Sequence, residues 1–151
     1  MPIRLVLAED HYLVREGVRR LLEAQPGLEI AAVCGDLDSL LEAVDREGPD
    51  VVVTDIRMPP TNTDEGIQAA EAFRDSHPKL GVVVLSQYDE PEYAIKLLSR
   101  GAAGRAYLLK DRLFDASALL HAIRAVAAGG SVLDSQVVDG AMAARIPCAS
   151  S

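Results

Sequence analysis

The sequence predicts an α/β fold: a five-stranded parallel sheet with helices on both faces. Three observations carry this. Five short apolar runs alternate with five segments whose apolar residues recur at helical spacing. Glycine and proline pairs punctuate the boundaries, as at Pro26-Gly27, Gly48-Pro49 and Gly129-Gly130. The chain has 151 residues, 49% hydrophobic and 25% charged, which suits one domain with a real core plus a short tail.

The elements follow in order. Ile3 to Ala8 is a mostly apolar run that stops at Glu9-Asp10. Val14, Val18, Leu21 and Leu22 then mark one face of a helix, which Pro26-Gly27 ends. Leu28 to Cys34 is a second strand. Leu37, Leu40, Leu41 and Val44 stripe a second helix, stopped at Gly48-Pro49. Val51 to Asp55 is β-branched and almost wholly apolar, as expected of a strand covered on both faces. A loop from Ile56 to about Thr63 contains Pro59-Pro60. A third helix runs from about Asp64 to His77, with Ile67, Ala70 and Phe73 inward. Gly81 to Ser86 is the fourth strand. Asp89 is placed to cap the fourth helix, with Pro91 in its first turn. Ala106 to Leu109 is the fifth strand. The fifth helix runs from about Phe114 to Ala128, with Leu119, Ile123 and Val126 on one stripe. Beyond Gly129-Gly130 the pattern weakens, and Val132, Leu133, Val137, Val138 and Met142 suggest a last short helix.

Composition excludes several function classes. No apolar run approaches the roughly 20 residues that span a bilayer, and the N-terminus lacks the pattern of a signal peptide. A cytoplasmic protein without membrane contact is expected. Acidic residues outnumber basic ones 23 to 15, for a formal net charge of −8. Duplex DNA is held largely by Lys and Arg on phosphates, so this chain alone is a poor DNA binder. Cys34 ends an apolar run and reads as a small core residue. With Cys148 in the tail, there is neither a disulfide framework nor a zinc site.

Ligands of open parallel sheets sit at the carboxyl ends of the strands. Here those ends carry Glu9 and Asp10, Asp55, Ser86 and, after the fifth strand, Lys110. If the first and third strands are neighbours, about 4.8 Å apart, the carboxylates of Asp10 and Asp55 come close. Like charges so placed raise one another's pKa unless a cation joins them. A small hard divalent ion answers this, and Mg²⁺ is the cytoplasmic candidate. Such an ion leaves Asp55 ionised and able to attack phosphorus. Lys110 can bind a phosphoryl oxygen as a point charge, and the Ser86 hydroxyl can donate to another. Taken singly, Asp55 or Asp10 could merely cap a helix, Ser86 could be a turn hydroxyl and Lys110 a surface lysine. The constellation is what promotes them. His11, His77 and His121 are read as surface or helix residues.

Together, Glu9-Asp10, Asp55, Met58-Pro59, Ser86, Tyr107 and Lys110 resemble the receiver domain of bacterial response regulators. The segments Ala8-Glu9-Asp10-His11, Asp55-Ile56-Arg57-Met58-Pro59 and Tyr107-Leu108-Leu109-Lys110-Asp111 are most similar to the NarL/FixJ (LuxR-type) subfamily. The likeness covers about residues 3 to 128. It implies a flavodoxin-like (CheY-like) fold with strand order 2-1-3-4-5. It implies that Asp55 accepts phosphate from a sensor histidine kinase. Asp10, Asp55 and the main-chain carbonyl of Arg57 would bind Mg²⁺ directly, and Glu9 through water. Ser86 and Tyr107 would form the switch, Ser86 moving toward the phosphoryl group as Tyr107 turns inward. A second copy of the chain is a candidate partner on phosphorylation. The subfamily's transcriptional output belongs to a C-terminal helix-turn-helix domain, and too few residues follow Ala128 to form one. The expected organisation is a receiver at 1–130 and a tail or linker at 131–151. Either the chain is truncated, the favoured reading, or it is a stand-alone receiver acting by protein contacts.

Three departures from the family pattern stand out. The loop at Pro60–Glu65 makes the stretch from Met58-Pro59 to Gly66 about three residues longer than usual. The segment Gly104-Arg105-Ala106 adds about two residues before Tyr107. Asp111 stands where the wider family has proline, which makes a cis bond after Lys110 less expected. Two other classes compete. A haloacid-dehalogenase-type phosphatase would want a second aspartate two residues after Asp55, where Arg57 stands. A nucleotide or flavin domain would want a glycine-rich phosphate loop, which is missing. Slow spontaneous dephosphorylation is the only turnover expected, with Arg57 and Tyr88 obstructing the hydrolytic water.

Overall fold

The computed structural model describes residues 2–86, 91–98, 101, 103–110 and 116–133. Strands β1 (Ile3–Ala8), β2 (Leu28–Cys34), β3 (Val51–Asp55), β4 (Gly81–Ser86) and β5 (Arg105–Leu109) alternate with helices α1 (Tyr12–Glu23), α2 (Leu37–Glu47), α3 (Glu65–Ser76), α4 (Pro91–Leu98) and α5 (Ala116–Ala127). A two-residue strand, β6 (Val132–Leu133), follows. All pairings are parallel, in the order β2-β1-β3-β4-β5-β6. The five-strand order is the one the resemblance implied.

Strand alternation divides the core into two halves. Val6, Ala8, Val52, Val82, Val84, Tyr107 and Leu109 face α2, α3 and α4. Leu5, Leu7, Val51, Val53, Val83, Leu85, Ala106 and Leu108 face α1 and α5. Because β1, β3, β4 and β5 are covered on both faces, they show no polar alternation, and β3 and β4 are buried throughout. Of the helix stripes read from sequence, Val18 and Leu22 in α1, Leu40 and Val44 in α2, Ile67, Ala70 and Phe73 in α3, and Leu119, Ile123 and Val126 in α5 are buried, while Val14, Leu21, Leu37 and Leu41 are partly buried against the same core. Asp36 caps α2 by accepting from the Ser39 amide at 2.7 Å and hydroxyl at 2.6 Å. Those bonds hold its carboxyl below the usual aspartate value. Helix α5 ends in a left-handed glycine, Gly129 at φ 87°, with Gly129 N–H donating to Val126 and Gly130 N–H to Ala125.

Val132 and Leu133 differ from expectation. They form β6 rather than part of a helix, pairing with Ala106 and Tyr107 on the open edge of β5. An exposed parallel edge offers unpaired backbone groups, and two apolar residues suffice to take them. Asp89, the first residues expected of the fifth helix, Met142 and Cys148 lie outside the described residues. Cys34 is buried as expected, and burial pushes its thiol pKa up. Among the described residues, no helix is long and apolar enough to cross a membrane.

Helix α4 leans on α3 and the loop before it. Arg74 of α3 donates to the carbonyls of Leu97 and Gly101 at 2.7 Å each, closing the C-terminal end of α4. Lys96 pairs with Asp64 at 2.7 Å, and Tyr93 donates to the Thr63 carbonyl at 3.4 Å. Arg105 is a second fastener. It is 2% exposed and donates to the carbonyls of Ala70, Leu80 and Gly104. Its Nε meets no acceptor among the described residues. Burial, with Arg74 nearby, pulls its pKa down to about 10.

Candidate functional site

Strand register assembles the site. Ala8 pairs with Thr54, so Glu9 emerges beside Asp55. Asp55 pairs with Leu85, which places Ser86 one residue beyond it. Ser86 pairs with Leu109, and Lys110 follows. The chain crosses to opposite sides of β1 for β2 and β3, opening a crevice at their carboxyl ends. Into it come Glu9, Asp10 and Asp55, each offering one carboxylate oxygen within 4.8 Å of the others. Glu9 is 2% exposed and Asp55 8%, while Asp10 is exposed.

Lys110 reaches both buried acids, with Nζ at 2.8 Å from Glu9 Oε2 and 3.2 Å from Asp55 Oδ2. The Ile56 amide donates to Asp55 Oδ1 at 2.8 Å and the His11 amide to Glu9 Oε1 at 3.2 Å. Burial pushes the Asp55 pKa up, and Lys110 and the Ile56 amide reverse only part of that. Burial also raises Glu9, with Asp55 adding to the rise and Lys110 opposing it. Burial pulls Lys110 down, but Glu9 and Asp55 outweigh it and hold the ammonium above the usual lysine value. Among the described residues, Lys110 alone stands within ion-pair distance of these three carboxylates, so the crevice carries an excess of negative charge. Glu9 Oε2 is buried and, among the described residues, meets no donor beyond that ammonium. The donor set is three hard oxygens. On charge, burial and ligand type, the pocket fits a divalent cation of the Mg²⁺ class.

The other predicted residues differ in depth. Ser86 is buried at the end of β4, 3% exposed. Tyr107 is fully buried in β5, packed in the half-core that includes Ala94 and Leu97 of α4. Arg57 is exposed just beyond β3. Tyr88 and Asp111 lie outside the described residues. Met58 is fully buried.

Sequence reading missed how the long loop is held. Glu65, 1% exposed, accepts from the Thr61 amide at 2.7 Å, the Thr63 amide at 3.0 Å and the Thr61 hydroxyl. Burial pushes Glu65 up, and these donors more than reverse it, leaving its pKa below the usual glutamate value. The signal was present: a glutamate opening a helix after a Thr-Asn-Thr-Asp run is a capping pattern. Glu65→Gln is expected to cost about 1 kcal/mol at pH 7, because the donors of Thr61 and Thr63 lose a charged acceptor that water, reaching these exposed residues, replaces only in part. A carboxyl whose folded pKa is depressed stabilises above its unfolded value of 4.5 and loses that effect as pH falls through the folded value. The gap between wild type and variant should therefore narrow below about pH 4.5. Urea titrations at neutral and acid pH measure it; a constant gap refutes the assignment.

Comparison with known proteins gives the same picture. The sequence profile of the response regulator receiver domain matches residues 5–124. The transcriptional regulatory protein DegU of Brevibacillus brevis is 38% identical over 135 residues, covering 89% of this chain and 54% of DegU. The nitrate/nitrite response regulator protein NarP of Escherichia coli K12 is 35% identical over 136 residues, covering 90% of this chain and 60% of NarP. This chain thus spans less than two thirds of either relative. A LuxR-family two-component response regulator from Aurantimonas sp. SI85-9A1 superposes with a TM-score of 0.80 at 27% identity, covering 97% of this chain and 99% of that one. The signal receiver domain of the response regulator NarL from Mycobacterium tuberculosis gives a TM-score of 0.69 at 34% identity, covering 82% and 97%. With the sheet order, the acidic crevice and its lysine already in place, this chain belongs to the receiver domains of two-component response regulators, in the NarL/FixJ (LuxR-type) subfamily.

Proposed function

We propose that Asp55 is the phosphoacceptor, and the observation that carries this is the convergence of Glu9, Asp10, Asp55 and Lys110 on one crevice. A carboxylate oxygen of Asp55 attacks the phosphorus of a phosphohistidine on a sensor kinase. The new O–P bond forms as the P–N bond breaks, and the released imidazole takes up a proton. Asp10, Asp55 and the main-chain carbonyl of Arg57 would hold Mg²⁺ directly, and Glu9 through water. Such an ion offsets negative charge on the phosphoryl oxygens. Lys110 pairs with a phosphoryl oxygen, exchanging one anionic partner for another. Ser86 donates to a third oxygen, and Tyr107 packs behind it as the second half of the switch. The phosphorylated state is read through the surface of β4, α4 and β5. The phosphoryl group shifts that balance only as far as it binds one state better.

The receiver proper is read as residues 1–130, with 131–151 as tail or linker. Transcriptional output would come through an effector domain of the kind the relatives' names imply, and DNA would be met only there. A homodimer formed on phosphorylation and a cytoplasmic location complete the reading. Arg57 and Tyr88, two residues past Asp55 and Ser86 in sequence, would slow spontaneous loss of the phosphoryl group by obstructing water.

Acetyl phosphate with Mg²⁺ is expected to add one phosphoryl group to the chain, read by intact mass. Asp10→Ala should weaken Mg²⁺ binding at least tenfold by calorimetry. Incorporation that ignores Mg²⁺, or equal affinity in the variant, contradicts the reading.

A further inference from the structure

Glu9 and Asp10 sit on the turn between β1 and α1, and that turn is held at its backbone. The Glu9 amide donates to the Cys34 carbonyl at 3.0 Å. The Glu9 carbonyl accepts from Nη1 of Arg15 at 3.4 Å. Arg15 lies one turn into α1, half-buried, and long helical side chains lean toward the helix N-terminus, where this turn lies. Its guanidinium is fixed from two further sides. It lies over the Tyr12 ring, 5.6 Å from the centroid. Beneath it is Gly35, where an added Cβ would stand 3.3 Å from Nη1 and 3.9 Å from the Asp10 Cα. The missing side chain at position 35 leaves room for the guanidinium against the turn.

We propose that Arg15 is a positioning residue for the acidic crevice, holding the Glu9-Asp10 turn in the geometry that takes a divalent cation. This rests on the reading of Glu9, Asp10 and Asp55 as cation ligands. Arg15 acts through the Glu9 main chain and not on the phosphoryl group. Groups that orient metal ligands typically govern about 10–100-fold in affinity. Charge alone predicts the opposite sign, because removing a cation beside three carboxylates should tighten Mg²⁺ binding. The two accounts are therefore separable.

The test is calorimetric titration of Mg²⁺ into wild type, Arg15→Ala and Arg15→Lys, with the unfolding midpoint of each taken without Mg²⁺. Arg15→Ala is expected to bind Mg²⁺ about tenfold more weakly while its midpoint stays near wild type. Arg15→Lys keeps the charge and stem but not the planar fork, and should show a smaller loss. Labelling by acetyl phosphate in Arg15→Ala should recover at saturating Mg²⁺. Wild-type or tighter affinity in Arg15→Ala overturns the proposal, as does labelling that stays depressed at saturation. If Arg15→Ala does not fold, Arg15→Lys decides, and wild-type affinity there overturns it. Failure of the wild type itself to bind Mg²⁺ strikes the parent reading of the crevice instead.

Discussion

Replacing Asp55 with asparagine is expected to reduce phosphate incorporation from acetyl phosphate to background. The amide is nearly the same size and keeps an oxygen for the Ile56 N–H, which now donates to Oδ1 at 2.8 Å. What it loses is the anionic oxygen that forms the bond to phosphorus. Neither neighbour can substitute. Glu9 is buried with its carboxylate held by Lys110 and the His11 amide, and Asp10 stands exposed at the rim. Intact mass after acetyl phosphate and Mg²⁺ gives the readout, with circular dichroism to show that the variant is folded. Wild-type labelling in Asp55→Asn would place the acceptor elsewhere and dismantle the assignment.

The second large effect concerns Gly66, the second residue of α3. A Cβ built there would lie 2.1 Å from the Asp55 carbonyl oxygen and 2.9 Å from the Ile56 Cα. Both are backbone atoms, so no rotamer change relieves the clash. The Gly66 N–H also donates to the Ile56 carbonyl at 2.8 Å, which locks the close approach. Gly66→Ala must push α3 away from the end of β3, the strand that presents Asp55. A loss of more than about 3 kcal/mol is expected, at the upper end for overpacking. Gly17 in α1 is the control. Nothing lies within 4 Å of a Cβ there, so Gly17→Ala should stabilise by about 0.5–1 kcal/mol. Urea unfolding compares the two, and near-wild-type stability in Gly66→Ala would refute the steric account.

Much of this was legible beforehand because one face of each helix and both faces of the strands must be apolar. Val51 to Asp55 and Gly81 to Ser86 could be bounded to the residue, since β-branched runs ended at polar groups. The crevice followed from listing what stood at each strand end, and register then brought those groups together. Tertiary fasteners were not legible. Arg105 looks like a loop residue before an apolar run, yet it opens β5 and is buried on three carbonyls. Periodicity carries no information about a guanidinium that finds backbone acceptors in other elements. Asp64 and Lys96 are 32 residues apart, and only the packing of α4 on the long loop makes them partners. Val132 and Leu133 were misread because two apolar residues fit a helix stripe or an edge strand equally well, and the open edge of β5 decides.

The attachment of α4 sets a hierarchy of local opening. Amides of β1, β3 and β4 are sealed between two apolar layers, so hydrogen exchange there requires the whole domain to unfold. Helix α4 buries Ala94 and Leu97, but its polar attachments, the Asp64–Lys96 pair and Arg74, gather at its C-terminal end and are bonds that water can replace. Its amides should exchange earlier, in sub-global excursions that leave the sheet intact, so this helix can loosen without melting the platform beneath it.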